Sequence, residues 1–114
     1  GYASAAWAYQ KLADVALYNI ALINGFHSGN DGFVPGFSGS EQNAPKGGAL
    51  LVSTGSKVVM HACSFTNCIS FSSSEYPLGG AIANAGGMEM EGCIFSGNRA
   101  INYLWPKGGA IYNK

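Results

Sequence analysis

With 114 residues, 47% of them hydrophobic, the chain has the material for one packed domain and is too apolar to remain disordered. Only 11% is charged and six basic residues balance six acidic ones, so there is no electrostatic footprint for nucleic acid or anionic lipid. The longest apolar stretch, Ala13 to Ile23, is interrupted by Asp14 and Asn19 and falls short of the roughly 20 residues a bilayer span needs; no transmembrane segment is expected.

Residues 1–14 carry no repeat and read as a cap. Helix formers run from Ala5 to Ala13 behind Ser4, which predicts a short capping helix. From Val15 onward two readings are open. In the first, Val15, Leu17, Ile20 and Leu22 alternate with polar or small residues as strands do, and Asn24-Gly25 closes them. In the second, the helix continues through Leu22 and stops at Gly25. The segment 26–45 is rich in Gly, Ser, Asn and Pro without a strand pattern, and reads as one long loop.

Past the loop the pattern becomes periodic. Gly47-Gly48-Ala49-Leu50 recurs as Gly79-Gly80-Ala81-Ile82 and Gly108-Gly109-Ala110-Ile111, a spacing of 32 residues from Gly47 to Gly79 and of 29 from Gly79 to Gly108. Between these marks Val58, Met60, Cys63 and Phe65 align with Met88, Met90, Cys93 and Phe95, and Asn67-Cys68 aligns with Gly97-Asn98. Alternation of period two marks strands with one face buried, and the two-residue skip turns the chain so that the next strand again points inward. The fold expected is all-β: a short right-handed parallel β-helix solenoid of about three coils over residues 15–114, with three strands per coil. Equivalent side chains then stand in columns, Cys63 over Cys93 and Phe65 over Phe95.

The Gly-Gly-Ala-Ile motif and Phe95-Ser-Gly-Asn98 resemble the paired GGAI and FxxN repeats of chlamydial polymorphic outer-membrane proteins and related pectin-lyase-like β-helices. The likeness covers Val15 to Asn113, with Cys68 where the first complete repeat should carry asparagine. It implies the architecture, and a setting at a cell surface, outside the cell or in a membrane-associated or organellar assembly; it implies little chemistry, because such repeats serve adhesins and autotransporter passengers alike.

Candidate chemistry is sparse. Polysaccharide cleavage on such a scaffold needs clustered carboxylates. Glu89 and Glu91 project from one strand, but Val59 and His61 stand at the matching positions. The long loop holds the nearest approach to a cluster, His27, Asp31 and Glu41, together with the aromatic residues Phe33 and Phe37. Gly29-Asn30-Asp31-Gly32 lacks the further ligands of a calcium loop, so neither a metal nor any other cofactor is expected. Cys63 and Cys93 fall at inward positions and read as small hydrophobes; none of the three cysteines has a metal-ligand spacing. Tyr76, Tyr103, Trp105 and Tyr112 fall in or beside the segments that lead to the next Gly-Gly-Ala, an edge suited to a protein partner or a carbohydrate.

Two functions are expected on these grounds. The first is a non-catalytic structural or interaction module, adhesin-like or a subunit of an assembly, with protein covering the open end of the solenoid. The second is a polysaccharide-active enzyme remnant that uses His27, Asp31 and Glu41.

Overall fold

The computed structural model describes residues 6–8, 14–29, 33–102 and 109–114, with the backbone alone for the first segment. Thirteen strands are described, all paired in parallel. They run β1 (Ala6–Ala8), β2 (Asp14–Tyr18), β3 (Ala21–Ile23), β4 (Phe26–Ser28), β5 (Leu50–Val52), β6 (Lys57–His61), β7 (Ser64–Thr66), β8 (Ile69–Ser72), β9 (Ile82–Asn84), β10 (Gly87–Glu91), β11 (Ile94–Ser96), β12 (Arg99–Asn102) and β13 (Ile111–Asn113). Strands one coil apart pair into four sheets, ordered β1-β5-β9-β13, β2-β6-β10, β3-β7-β11 and β4-β8-β12. A chain that winds through the same sequence of sheets, layer upon layer, is a β-helix-like solenoid.

Register follows the apolar columns. Val15 pairs with Val58 and Val58 with Met88; Leu17, Met60 and Met90 form the next column, and Leu22, Phe65 and Phe95 another. The middle coil is sealed, with Val58, Met60, Cys63 and Phe65 at most 1% exposed, and the Phe65 and Phe95 rings stack with centroids 4.9 Å apart. The strand reading of Val15 to Leu22 is therefore the correct one, and the helical alternative is excluded.

The skip between neighbouring strands has a backbone cause. Asn19, Ala62 and Gly92 adopt positive φ at one corner column, and Asn24, Asn67 and Gly97 do so at the next. One left-handed residue bends the chain while restoring the inward phase of the next strand, and its amide keeps pairing with the neighbouring coil, as from Asn19 N to His61 O at 3.0 Å. The Gly47-Gly48 and Gly79-Gly80 pairs divide the labour at their corners. Gly47 and Gly79 have φ of +68° and +74°, and a Cβ there would collide with the carbonyl oxygens of Leu50 and Ile82; Gly48 and Gly80 lie against the backbones of Ile69 and Arg99, where a side chain has no room.

Three expectations need correction. The capping helix is not formed at Ala6–Ala8, which is a strand in register with Leu50–Val52; the rest of the predicted helix lies outside the described residues. Helix propensity amounts to only tenths of a kcal/mol per residue, and an open strand edge alongside outweighs it. The long loop does not begin at Phe26, because Phe26–Ser28 pairs with Ile69–Phe71 as β4. A coil accordingly has four strands rather than three. Its fourth side, β4, β8 and β12, sends His27, Ser70 and Ala100 to the interior, where Ser70 donates to Pro45 O at 3.3 Å. Polar and small residues at inward positions erase the alternation that marks the other sides.

Candidate functional site

The segment 33–46 folds back over the outer face of the β1-β5-β9-β13 sheet. Val34 and Phe37 pack on Leu51 and Ala83, all four buried, and Tyr112 leans on them with its ring 6.4 Å from that of Phe37. This explains the uninterrupted apolar run Leu50-Leu51-Val52, since Leu50 and Val52 belong to the inner core and Leu51 to the outer one. Lys46 is wholly buried beneath the segment. Its ammonium donates to Ala44 O at 2.8 Å and Gln42 O at 3.2 Å and lies 5.6 Å from the Phe37 ring centroid. Buried cations need such satisfaction, and here carbonyls at the end of the 3-10 turn Gly39–Asn43 supply it.

Glu41 fastens the segment to β13. Its carboxylate accepts from Lys114 Nζ at 2.7 Å, from the Tyr112 hydroxyl, and from the backbone N–H of Ser38 at 3.0 Å. With these donors in place, the Lys114 bond foremost, the carboxyl is lowered to about 2. Bonding to the Glu41 carboxylate, with some burial, in turn raises the Tyr112 phenol above its ordinary value. The Ser38-x-x-Glu41 spacing, typical of a helix start, is the one sequence signal that could have revealed part of this clasp. Lys46 and Lys114 carried no such signal.

The loop candidates take separate places. His27 lies on β4, opposite Ser70, whereas Glu41 sits over β13. Phe37 is buried in the outer core while Phe33 is 72% exposed. Asp31, Tyr103 and Trp105 lie outside the described residues. Tyr76, nearly half exposed, and Tyr112 line one cleft of about 200 Å³ with Pro77, Leu78 and Ile111. Outward on the β2-β6-β10 sheet, Tyr18 stacks on His61 at 5.2 Å, His61 Nδ1 lies 3.7 Å from Glu91 and Lys57 bridges to Glu89 at 3.2 Å. These acids are partners in an exposed cross-strand ladder.

One concavity was not anticipated. It is an open groove of about 540 Å³ where the ends of β4 and β8 face the 3-10 turn, lined by Ser28, Gly29, Asn43 and the run Phe71 to Glu75. No group of three His, Cys, Asp or Glu side chains suited to a metal occurs among the described residues, and none of their helices is long and apolar enough to cross a membrane. Comparison with known proteins finds no matching family model, no matching curated protein and no matching solved structure.

Proposed function

We propose that this chain is a non-catalytic structural and interaction module: a short right-handed β-helix of the pectin-lyase-like kind, acting as a scaffold subunit or adhesin-like repeat whose end coils are covered by protein. The observation that carries this reading is the contrast between coils. Most column residues sealed in the middle coil have partly exposed counterparts at the ends, Val15, Leu17 and Ile20 on one side, where only Leu22 is buried, and Met88, Met90, Cys93 and Phe95 on the other, with Met90 42% exposed.

A second copy fits these ends best. The extents are 36 × 29 × 18 Å, and strands stacked about 4.8 Å apart account for the shortest, so the ends of the stack are the broad faces. Each offers an area of the order that a standard interface buries per partner, roughly 800 Å². Apolar columns meet apolar columns if copies stack head to tail, and a net charge of zero opposes no such contact. The clasp supports the non-catalytic part of the reading, because Glu41, the acid an enzyme reading would recruit, is engaged by Lys114 and Tyr112.

The test is sedimentation velocity of the chain over a hundredfold range of concentration. Association that grows with concentration, and that Leu17→Lys and Met90→Lys each abolish without loss of β circular dichroism, is expected. A stable monomer throughout, indifferent to both substitutions, would overturn the covering of the ends.

A further inference from the structure

We propose that copies join by strand exchange: β13 of one copy takes the place of β1 beside β5 of the next, and so completes that copy's first coil. This deepens the end-face reading and rests on it. The exchange follows from a collision. β1 and β13 belong to one sheet, on either side of the β5-β9 pair, whereas each of the other three sheets is described with three strands. If the next copy sets its β2, β3 and β4 on β10, β11 and β12, its β1 arrives at the edge of β9 that β13 already holds. One of the two strands has to leave. β13 is fastened to its own copy, because Asn113 Oδ1 accepts from Asn84 Nδ2 at 2.7 Å, Lys114 N donates to Asn84 O at 2.9 Å and Lys114 Nζ reaches Glu41 at 2.7 Å.

The corner that opens each of these strands indicates which one belongs at the junction. A Cβ on Gly48 or Gly80 would collide with the backbone of Ile69 or Arg99, on the fourth side of the same coil. Gly109 stands at the equivalent place, yet a Cβ there meets nothing within 4 Å among the described residues. The neighbour that would call for glycine is the one in register with Ile69 and Arg99, and in the next copy that residue is Phe26. The amide ladder leads to the same point. Gly48 N donates to Gly80 O at 2.9 Å and Gly80 N to Gly109 O at 2.7 Å, and Gly48 O of the next copy is the acceptor that continues the series for Gly109 N. β1 is the poorer match in sequence. Counted back from Ala6, which shares a register column with Ile111, it reads Ala3-Ser4-Ala5-Ala6 against Gly108-Gly109-Ala110-Ile111. Serine stands at the glycine position, and Ala6 stands beside Leu50 where the exchange puts Ile111. Ile111, 37% exposed in a single copy, is the larger apolar group to bury between Ile82 and the next copy's Leu50. Repeated from copy to copy, such a head-to-tail exchange builds an open linear assembly.

The experiment is hydrogen exchange of the dilute and the concentrated chain, read by mass spectrometry, beside sedimentation velocity of the parent and of Gly109→Val. On association the segment 109–111 is expected to gain protection and Ala6–Ala8 to lose it, because β1 is displaced. Gly109→Val should leave the melting temperature of the dilute chain unchanged, since the position is exposed with nothing beside it. It should raise the concentration needed for association about tenfold or more, the effect of overpacking a tight junction. Gly109→Ala, a single methyl, should act in the same direction. A parent that associates and is dispersed by Leu17→Lys, while Ala6–Ala8 keeps its protection and Gly109→Val associates like the parent, would overturn the exchange and leave the end-face reading standing. A parent that stays monomeric at every concentration would overturn both.

Discussion

Asn98 and Cys68 occupy the same corner in successive coils, and each reaches for the equivalent carbonyl one coil below. Asn98 Nδ2 donates to Phe65 O at 2.9 Å, and Cys68 Sγ donates to Leu22 O at 3.6 Å. Asn98 Oδ1 also accepts from Cys68 N at 2.9 Å, so the asparagine satisfies a donor and an acceptor at once. A thiol does this more weakly, and burial raises the Cys68 thiol, which keeps it protonated and donating. Replacing Cys68 with asparagine should therefore restore the stronger bridge and stabilise the fold by about 1 kcal/mol, while Cys68→Ala should cost about 1–2 kcal/mol. Urea unfolding of the two variants checks this; equal destabilisation by both would show that the corner is merely a space to fill.

The left-handed corner before Cys63 gives a second prediction. Ala62 has φ of +54° where its column neighbours are Asn19 and Gly92, residue types that tolerate this region. An L-residue with a Cβ pays roughly 1–2 kcal/mol there, part of which glycine recovers and part of which it returns as chain entropy. Ala62→Gly and Ala62→Asn should each raise stability by about 0.5–1 kcal/mol, and Asn67→Ala, the reverse change at φ +53°, should lower it by a similar amount. Thermal melts of the three variants suffice, and opposite signs for the two corners are the expected outcome.

The clasp of Glu41 makes stability depend on pH in a definite direction. Its carboxyl is lowered in the folded chain to about 2, so the stabilisation is complete above the ordinary carboxylate range and is lost as pH falls toward 2. Tyr112 contributes the alkaline counterpart. Its phenol is raised, so that its contribution is complete below its ordinary value near 10 and fades above it. Glu41→Gln should remove the acid-limb dependence and cost on the order of 1 kcal/mol at neutral pH, since Lys114 is partly solvated. Melting temperatures from pH 2 to 7 for parent and variant give the comparison; parallel curves would place the acid sensitivity elsewhere.

Much of the scaffold is legible in the chain because its causes are local. Columns such as Leu22, Phe65 and Phe95 are marked by alternation, and the Gly47-Gly48 and Gly79-Gly80 corners by the φ and close approach that only glycine accommodates. The fourth side escapes notice because its inward residues are His27, Ser70 and Ala100, so no apolar rhythm separates Phe26–Ser28 from the adjoining loop. The clasp and the groove escape for another reason. Glu41 meets Lys114 across 73 residues of sequence, and Ser28 comes beside Phe71 only through strand register, juxtapositions that exist once the coils are wound.

The Phe65–Phe95 stack separates a core position from an end position with one chemistry. Phe65 is fully buried in the middle coil, whereas Phe95 keeps one ring face against it and remains partly exposed. Phe65→Ala should cost about 3–5 kcal/mol, the range for a large cavity in a packed core. Phe95→Ala in the dilute chain should cost roughly half of that, because part of its surface is never removed from water. If a second copy covers the end coil, the two costs should converge as concentration rises, since burial of Phe95 is then completed by the neighbour. Chemical denaturation at low and high protein concentration measures both differences. A gap between the two variants that stays constant over that range would mean that the Phe95 face remains in water.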